Sequence, residues 1–246
     1  MRKILVASTN PGKLRELREM LGGDIEWVGL SDFPNIGEIE EGGETFAENA
    51  RKKALGYAKA TGLWTLADDS GLVVDALGGR PGVKSARFAG YLPPRHPLPT
   101  ACRGRQDTKE KRIKVDMQTP GFSERRATSD ERRTIDRENF EKVLKLLEGV
   151  PKEKRTARFV CCLCLASPEK VLIETEGKLE GVIIDEPIGE NGFGYDPIFW
   201  VPKLKKTVAQ LDSEQKNAVS HRENAIRKLK TLLFTTKTNH RLHRFH

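Results

Sequence analysis

The sequence predicts an α/β fold, and three of its features indicate this class. Apolar stretches of strand length alternate with longer segments in which apolar residues recur every three or four positions. The predicted helices begin at capping residues and end at glycines, and no internal repeat is visible. A length of 246 residues suits one large domain or two small lobes. Because strands and helices interleave, we expect them to share one layered core.

The chain opens with a predicted strand, loop and helix. Residues 3–8 form a short apolar run, Asn10 is a natural N-cap, and Pro11 suits the first helical position. The loop 8–13 therefore lies at a helix N-terminus, where free amides and the helix dipole favour anions, and Lys13 adds positive charge. Taken alone, the same residues also suit an ordinary helix start with an exposed lysine.

A second helix and a second strand come next. Thr45 begins the helix with a capping box, and Gly62 ends it. Residues 63–67 predict a strand that leads directly into Asp68 and Asp69. We expect the two acids at the carboxyl end of this strand, where open α/β sheets place their ligands.

These acids have a possible partner pair in Glu40 and Glu41, just ahead of the second helix. Carboxylate oxygens suit Mg²⁺, which typically binds one or two carboxylates together with substrate phosphates. A carboxylate that also contacts water can activate it as a nucleophile. Ordinary turn chemistry at Asp68 to Gly71 is the alternative interpretation.

The C-terminal part predicts a helix, two or three strands, a glycine-rich turn that leads into a further strand, and a last helix. The helix falls at 140–147 and the strands at 156–166, 170–176 and 179–184. The turn and the strand after it fall at 192–201, and the last helix begins at 220.

Two features of this part suggest a binding site for a planar base. The turn Phe193-Gly194-Tyr195-Asp196 can lay an aromatic ring against a base, although an aromatic hairpin packed on the core is equally natural. His221 and Arg222 occupy the first turn of the last helix, where positive side chains oppose the helix dipole, and Lys216 precedes them. A bound anion or base carbonyl would offset that local misfit.

Charge and cysteine content narrow the class of protein. The net charge is +8, but residues 91–138 alone hold 12 basic and 8 acidic residues, and residues 235–246 add three basic residues and no acid. This basic character therefore lies outside the predicted core, which argues against a nucleic-acid partner. No apolar run approaches the roughly 20 residues that span a bilayer, so we expect a cytoplasmic protein without a membrane partner.

The four cysteines lack the spacing of a zinc site. Cys161, Cys162 and Cys164 alternate within a predicted buried strand, and Cys102 lies apart from them. We expect free thiols in a reducing compartment.

Five motifs together resemble the inosine/xanthosine triphosphate pyrophosphatase family. They are STNPGKLREL, EEGGETFAENA, ADDSGLVVDALGGRPGVKSARFAG, ENGFGYDPIFWVP and SEQKNAVSHRENA, in this order along residues 1–90 and 139–234. The resemblance implies an elongated two-lobed fold around a long mixed twisted sheet, with the substrate in a cleft between the lobes, and a homodimer. It also implies Mg²⁺-dependent hydrolysis of the non-standard purine triphosphates ITP, dITP and XTP to monophosphate and pyrophosphate, which removes them from the nucleotide pool.

The resemblance further implies a role for each matching residue. Asp69 would be the general base and a Mg²⁺ ligand, together with Glu41 and its neighbour Glu40. The triphosphate and the rest of the substrate would be bound by Ser8, Thr9, Asn10, Pro11, Gly12, Lys13, Lys53 and Ser70. The base would be surrounded by Phe193, Gly194, Tyr195, Asp196, Lys216, His221 and Arg222.

The chain departs from the family pattern in two places. Residues 91–138 form a long basic insertion that is rich in proline and lacks an apolar period, which is typical of a flexible segment, and residues 235–246 form a basic tail that contains histidines. We expect one pyrophosphatase domain over residues 1–234, interrupted by this insertion. Two alternatives are a related pyrophosphatase for modified pyrimidine triphosphates and a nucleic-acid-binding protein that uses the insertion and the tail.

Overall fold

A single open sheet of seven strands forms the centre of the computed structural model, which describes residues 2–8, 17, 21, 25–90 and 129–235. Its strands are β1 (Arg2–Val6), β2 (Ile25–Gly29), β3 (Trp64–Val74), β4 (Thr156–Ala166), β5 (Val171–Ile183), β6 (Phe199–Val201) and β7 (Lys206–Thr207). The spatial order is β2-β1-β3-β4-β5-β6-β7. β1 runs parallel to β2 and β3, and the remaining pairs are antiparallel. The predicted α/β class and its mixed sheet are confirmed.

Four helices with bounds inside the described residues accompany the sheet. They are α1 (Phe46–Thr61), α2 (Ser129–Leu146), α3 (Ser213–Val219) and α4 (His221–Thr235). Leu17 and Leu21 are also helical and buried, in agreement with the helix predicted after β1. No described helix is long and apolar enough to cross a membrane.

The alternation of side chains along β1 places a helix on each face of the sheet. Ile4 packs in a cluster with Ile226 of α4, whereas Leu5 packs in a cluster with Ala54 of α1. Successive strand residues point to opposite faces, so a strand buried on both sides is apolar at every position. This is why residues 3–8 show a continuous apolar run. We refer to the two sides as the α1 face and the α4 face.

The cysteines divide between the same two faces. Cys161 belongs to the α4-face cluster, whereas Cys162 and Cys164 belong to the α1-face cluster. All three are buried free thiols, as predicted, and Cys102 lies outside the described residues. Burial raises the pKa of the Cys162 thiol to about 11, which keeps it protonated near neutral pH.

The strand that carries the acidic pair is longer than the sequence predicted. Asp68 and Asp69 do not follow the strand, because β3 continues through them to Val74. The parallel partner β1 pairs with β3 only as far as Leu66. Between Leu66 and the bridge from Val73 to Pro81, no described strand pairs with this side of β3, and the two acids lie on this free edge. The predicted position of the acids at the end of their own strand is therefore wrong. They lie instead beside the carboxyl end of the neighbouring strand β1.

Two further boundaries differ from the prediction. The segments 170–176 and 179–184 form one strand, β5, since Gly177 and Lys178 stay paired with β4, so two of the two or three expected strands are present. α2 begins at Ser129, so the last part of the 91–138 segment belongs to a helix of the fold. Residues 129–138 contain seven charged residues and no apolar period, so their sequence does not indicate a helix.

Candidate active site

The register between β3 and β4 separates the adjacent acids. Asp69 lies opposite Cys162, and Asp68 lies opposite Leu163. Directly opposed residues of an antiparallel pair share one face of the sheet, and Cys162 and Leu163 belong to different faces. Asp69 therefore faces α1, whereas Asp68 and Ser70 face α4.

Asn49 on α1 holds the Asp69 carboxylate. Its Nδ2 donates to Asp69 Oδ2 at 3.0 Å, and the Ser70 amide donates to Asp69 Oδ1 at 3.0 Å. The Asn49 Oδ1 also accepts a hydrogen bond from the Gly43 amide at 2.8 Å, which ties the loop before α1 to the same place. Asn49 is buried and was missed by sequence reasoning. The sequence signal for Asn49 was an amide side chain on the buried side of α1, where the other buried residues are alanines and aromatics.

Lys53, one helical turn beyond Asn49, completes this corner of the site. Its Nζ lies 2.8 Å from Glu41 Oε1 and donates to the Asp68 carbonyl oxygen at 2.5 Å. Residues four apart on a helix lie on the same side, so α1 presents Asn49 and Lys53 together. The predicted Glu41, Lys53 and Asp69 are thus brought to one place. Glu40 is exposed, and Glu41 is the member of the pair that contacts Lys53.

The electrostatics of this corner favour a proton acceptor. Burial raises the pKa of Asp69, against the opposing effects of the Asn49 hydrogen bond and the Lys53 charge. Burial lowers the pKa of Lys53, but its hydrogen bond to Glu41 and the neighbouring carboxylates outweigh burial and raise it overall. Lys53 therefore stays charged, and Asp69 becomes a better base than an exposed aspartate.

The carboxylate oxygens of Glu41 and Asp69 could together hold a divalent cation. The negative charge of Glu41 also raises the pKa of Asp69, which means that the two carboxylates disfavour each other's charged form. A cation between them would relieve this repulsion, and Mg²⁺ prefers carboxylate oxygens. The described residues contain no cluster of three or more His, Cys, Asp or Glu side chains suited to a metal. Glu41 and Asp69 thus fit an ion that completes its shell with water and phosphate.

The α4 face of β3 holds a second group of polar atoms. The Ser70 hydroxyl and the Arg222 Nε are both buried and lack hydrogen-bond partners among the described residues. Arg222 lines a small cavity together with Asp68, Val6 and Leu66. A buried polar group without a partner is unfavourable unless a ligand or water satisfies it, so this cavity suits a polar ligand group.

The loop after β1 begins beside this cavity. The Ala7 amide donates to Leu66 O at 2.8 Å, which places Ser8 next to the acidic pair of the neighbouring strand. The other predicted phosphate-binding residues lie outside the described residues: Thr9, Asn10, Pro11, Gly12 and Lys13.

The predicted base-binding turn exposes one aromatic ring and buries the other. Phe193 is 64% exposed, whereas Tyr195 is 5% exposed and its hydroxyl donates to Ser85 O at 2.8 Å. Asp196 is buried, accepts a hydrogen bond from the Phe193 amide at 3.0 Å, and pairs with Lys216 Nζ at 2.5 Å. Tyr195 and Asp196 thus fix the turn from within, and only Phe193 offers a free ring face.

Lys216 and His221 each contact an aromatic ring at this end of the site. The Lys216 Nζ lies 4.7 Å from the centroid of the Phe193 ring, and the His221 ring stacks on Phe159 at 5.2 Å. The start of α4 that carries His221 crosses β5 at Gly177, where any Cβ would overlap the His221 carbonyl oxygen. Gly177 is a second residue that sequence reasoning missed, because its close contact is made by a distant helix.

Comparisons with known proteins show the family of this chain. A sequence model of the Ham1 family matches residues 4–110 and 113–232, so the match leaves out only residues 111 and 112 of the 91–138 segment. The dITP/XTP pyrophosphatase of Desulforamulus reducens is 43% identical over 232 residues, which is 94% of this chain and 95% of that protein. The dITP/XTP pyrophosphatase of Bacillus cereus is 42% identical over 232 residues, which is 93% of each chain.

Solved structures show the same relationship. A HAM1 protein from Coxiella burnetii superposes with a TM-score of 0.74 at 38% identity, over 96% of this chain and 100% of that one. The Ham1 protein of Staphylococcus aureus gives a TM-score of 0.73 at 37% identity, over 94% of this chain and 98% of that one. Fold, motifs and full-length identity therefore agree, and this chain belongs to the Ham1 family.

Proposed function

We propose that this protein hydrolyses ITP, dITP and XTP to the monophosphate and pyrophosphate, with Mg²⁺ as its cofactor. The observation that carries the proposal is the corner where Glu41, Lys53 and Asp69 meet at the free edge of β3. The motifs that build this corner belong to a chain that is 43% identical to a dITP/XTP pyrophosphatase.

The residues of the corner have complementary tasks. Water attacks the α-phosphorus, the bond from that phosphorus to the β-bridging oxygen breaks, and pyrophosphate leaves. Asp69 accepts the proton of the water, a role that its raised pKa favours. Lys53 would stabilise negative charge on the phosphates, and the loop 8–13 would hold the triphosphate.

Glu41 and Asp69 would hold the cation. When bound, Mg²⁺ supplies Lewis-acid stabilisation of charge on phosphate oxygens. Exposed Glu40 has no contact with the corner and is expected to matter less than Glu41.

The other end of the site would select the base. The free face of Phe193 suits stacking with a purine, and Lys216 beside it adds a donor. Donors from Lys216, His221 or Arg222 directed at the 6-keto oxygen of hypoxanthine or xanthine would reject adenine, because its amino group leaves them unpaired. The buried Ser70 hydroxyl and Arg222 Nε are available for substrate or water on the α4 face.

The proposal is tested with a panel of triphosphates and chromatographic identification of the products. ITP and XTP should be hydrolysed far faster than ATP and GTP, in one step, with pyrophosphate as the second product. Stepwise release of orthophosphate would contradict the pyrophosphohydrolase assignment. The homodimer that the family resemblance implies is tested separately, by light scattering of the purified protein.

A further inference from the structure

One polar contact of the Phe193 turn comes from outside the motifs. The Asp136 Oδ2 accepts a hydrogen bond from the Gly194 amide at 2.8 Å. Asp136 belongs to α2 and is half-buried, and none of the five motifs contains it. It lies within the 91–138 segment, where the sequence suggested no role in the site.

The helix that carries Asp136 is firmly anchored. One turn further along, buried Asn139 accepts from the Ala89 amide at 2.7 Å and donates to the Ala86 carbonyl oxygen at 3.3 Å. The next turn places Lys142 Nζ 2.8 Å from the Phe88 carbonyl oxygen. Residues three apart share one side of a helix, so α2 delivers Asp136 to the turn with little freedom.

The turn itself depends on two carboxylates. The Phe193 amide donates to Asp196, and the next amide, that of Gly194, donates to Asp136. Gly194 has a φ of +62°, a conformation that glycine adopts readily because it has no Cβ. Two consecutive peptide planes are therefore fixed by two acids from different parts of the chain, and these planes set the direction of the exposed Phe193 ring.

We propose that Asp136 is a positioning residue for base recognition. It holds the Gly194 peptide, and through it the ring of Phe193, in the orientation that stacks on a purine. This inference rests on the proposed function, since it assigns the Phe193 face to the purine base. It also gives α2 a part in substrate selection that is separate from the phosphate chemistry at Asp69.

The two products of the proposed reaction provide the test, because inosine monophosphate contains the base and pyrophosphate does not. Binding of each is measured by calorimetry for the full-length protein and for D136A, D136N and the control E138A. Glu138 is the exposed acid two positions further along the same helix. Alanine is a better helix former than aspartate, so D136A does not weaken α2 through helix propensity.

For D136A, binding of inosine monophosphate should weaken about tenfold, the effect of losing a hydrogen bond to a charged group. Pyrophosphate binding should stay within about twofold. D136N retains an acceptor and should recover part of the loss, and E138A should match the native protein. In turnover, D136A should raise KM for ITP more than it lowers kcat.

Unchanged binding of inosine monophosphate in D136A would overturn the role of Asp136. Equal weakening of both ligands would also overturn it, since that result indicates a general structural role. If the proposed function were wrong, the native protein would release no pyrophosphate from ITP. Binding is measured without hydrolysis, so the two failures are distinguishable.

Discussion

Asp68 and Asp69 are adjacent in sequence but face opposite sides of one strand. Asp69 shares its side with Asn49 and Lys53, whereas Asp68 shares its side with Ser70 and Arg222. The two acids are therefore not interchangeable, and only Asp69 lies with Glu41 at the proposed metal site.

At the residue scale, D69N removes the proposed base while it keeps the size and shape of the side chain. We expect the fold to persist and kcat for ITP to fall by about 10²-fold or more, since the amide cannot accept the proton of water. Steady-state kinetics at saturating Mg²⁺ and circular dichroism check this together. Near-native kcat in D69N would refute the assignment of Asp69 as base.

The second prediction at this scale concerns the cation. E41Q removes one of the two negative charges that the structure offers to a metal, so the Mg²⁺ concentration for half-maximal activity should rise about tenfold. E44Q is a matched control, because Glu44 lies in the same loop, is exposed, and makes no side-chain contact with the corner. Titration of activity with Mg²⁺ in both variants distinguishes the loss of a metal ligand at Glu41 from a general loss of surface charge. Equal curves for E41Q and E44Q would speak against Glu41 as a ligand.

At the scale of elements, α4 reaches the site only because β5 carries a glycine where the two cross. In G177A the added Cβ would overlap backbone atoms of His221 and Ala225, and backbone cannot move aside as a side-chain end can. We expect a loss of about 1–3 kcal/mol in the free energy of unfolding, as for overpacked cores. We also expect a higher KM for ITP, because His221 and Arg222 shift with the helix.

Denaturant unfolding and steady-state kinetics measure both effects. G37A serves as the control, since a Cβ at Gly37 meets no atom within 4 Å. If G177A kept native stability and native KM, the close crossing of α4 and β5 would not be a constraint on the site.

At the scale of the whole molecule, the start of α2 within the insertion determines which residues can be removed without loss of activity. The candidate site as described is built from residues 2–90 and 129–235, and residues 91–128 lie outside the described part of the chain. Ala89 contacts Asn139, and α2 extends ten residues back from there to Ser129, about 15 Å at 1.5 Å per residue. A linker of roughly ten acidic and threonine residues can span that distance.

Replacing residues 91–128 by this linker should therefore keep kcat/KM for ITP within about threefold, since closure entropy changes only slowly with loop length. Replacing 91–136 removes the first part of α2 and Asp136, and should raise KM for ITP, because the Phe193 turn loses one of its two carboxylates. Comparative kinetics of the two shortened proteins check the boundary. An inactive but folded 91–128 replacement would show that this segment takes part in the reaction.

Local signals along the chain determined much of the fold. Thr45 caps α1 through a hydrogen bond from the Glu48 amide, and Gly62 ends the helix in a left-handed conformation, as their positions predict. β4 has the predicted bounds, because an uninterrupted apolar run can be buried on both faces. Such signals depend only on neighbours in sequence, and they also made Glu41 and Asp69 candidates, whereas Lys53 was implied only by the family resemblance.

Only the tertiary structure decided how those residues are grouped. Strand register placed Asp69 on the α1 face and Asp68 on the α4 face, and pairing with β4 carried β3 through both acids. Asn49, Gly177 and Asp136 acquire their roles from partners 20, 44 and 58 positions away in the chain, at Asp69, His221 and Gly194. A contact between distant segments leaves no periodic pattern, because it depends on packing and register rather than on the residues next to it. The sequence alone therefore determined the class of fold and the main reacting groups, and the folded sheet decided which of them act together.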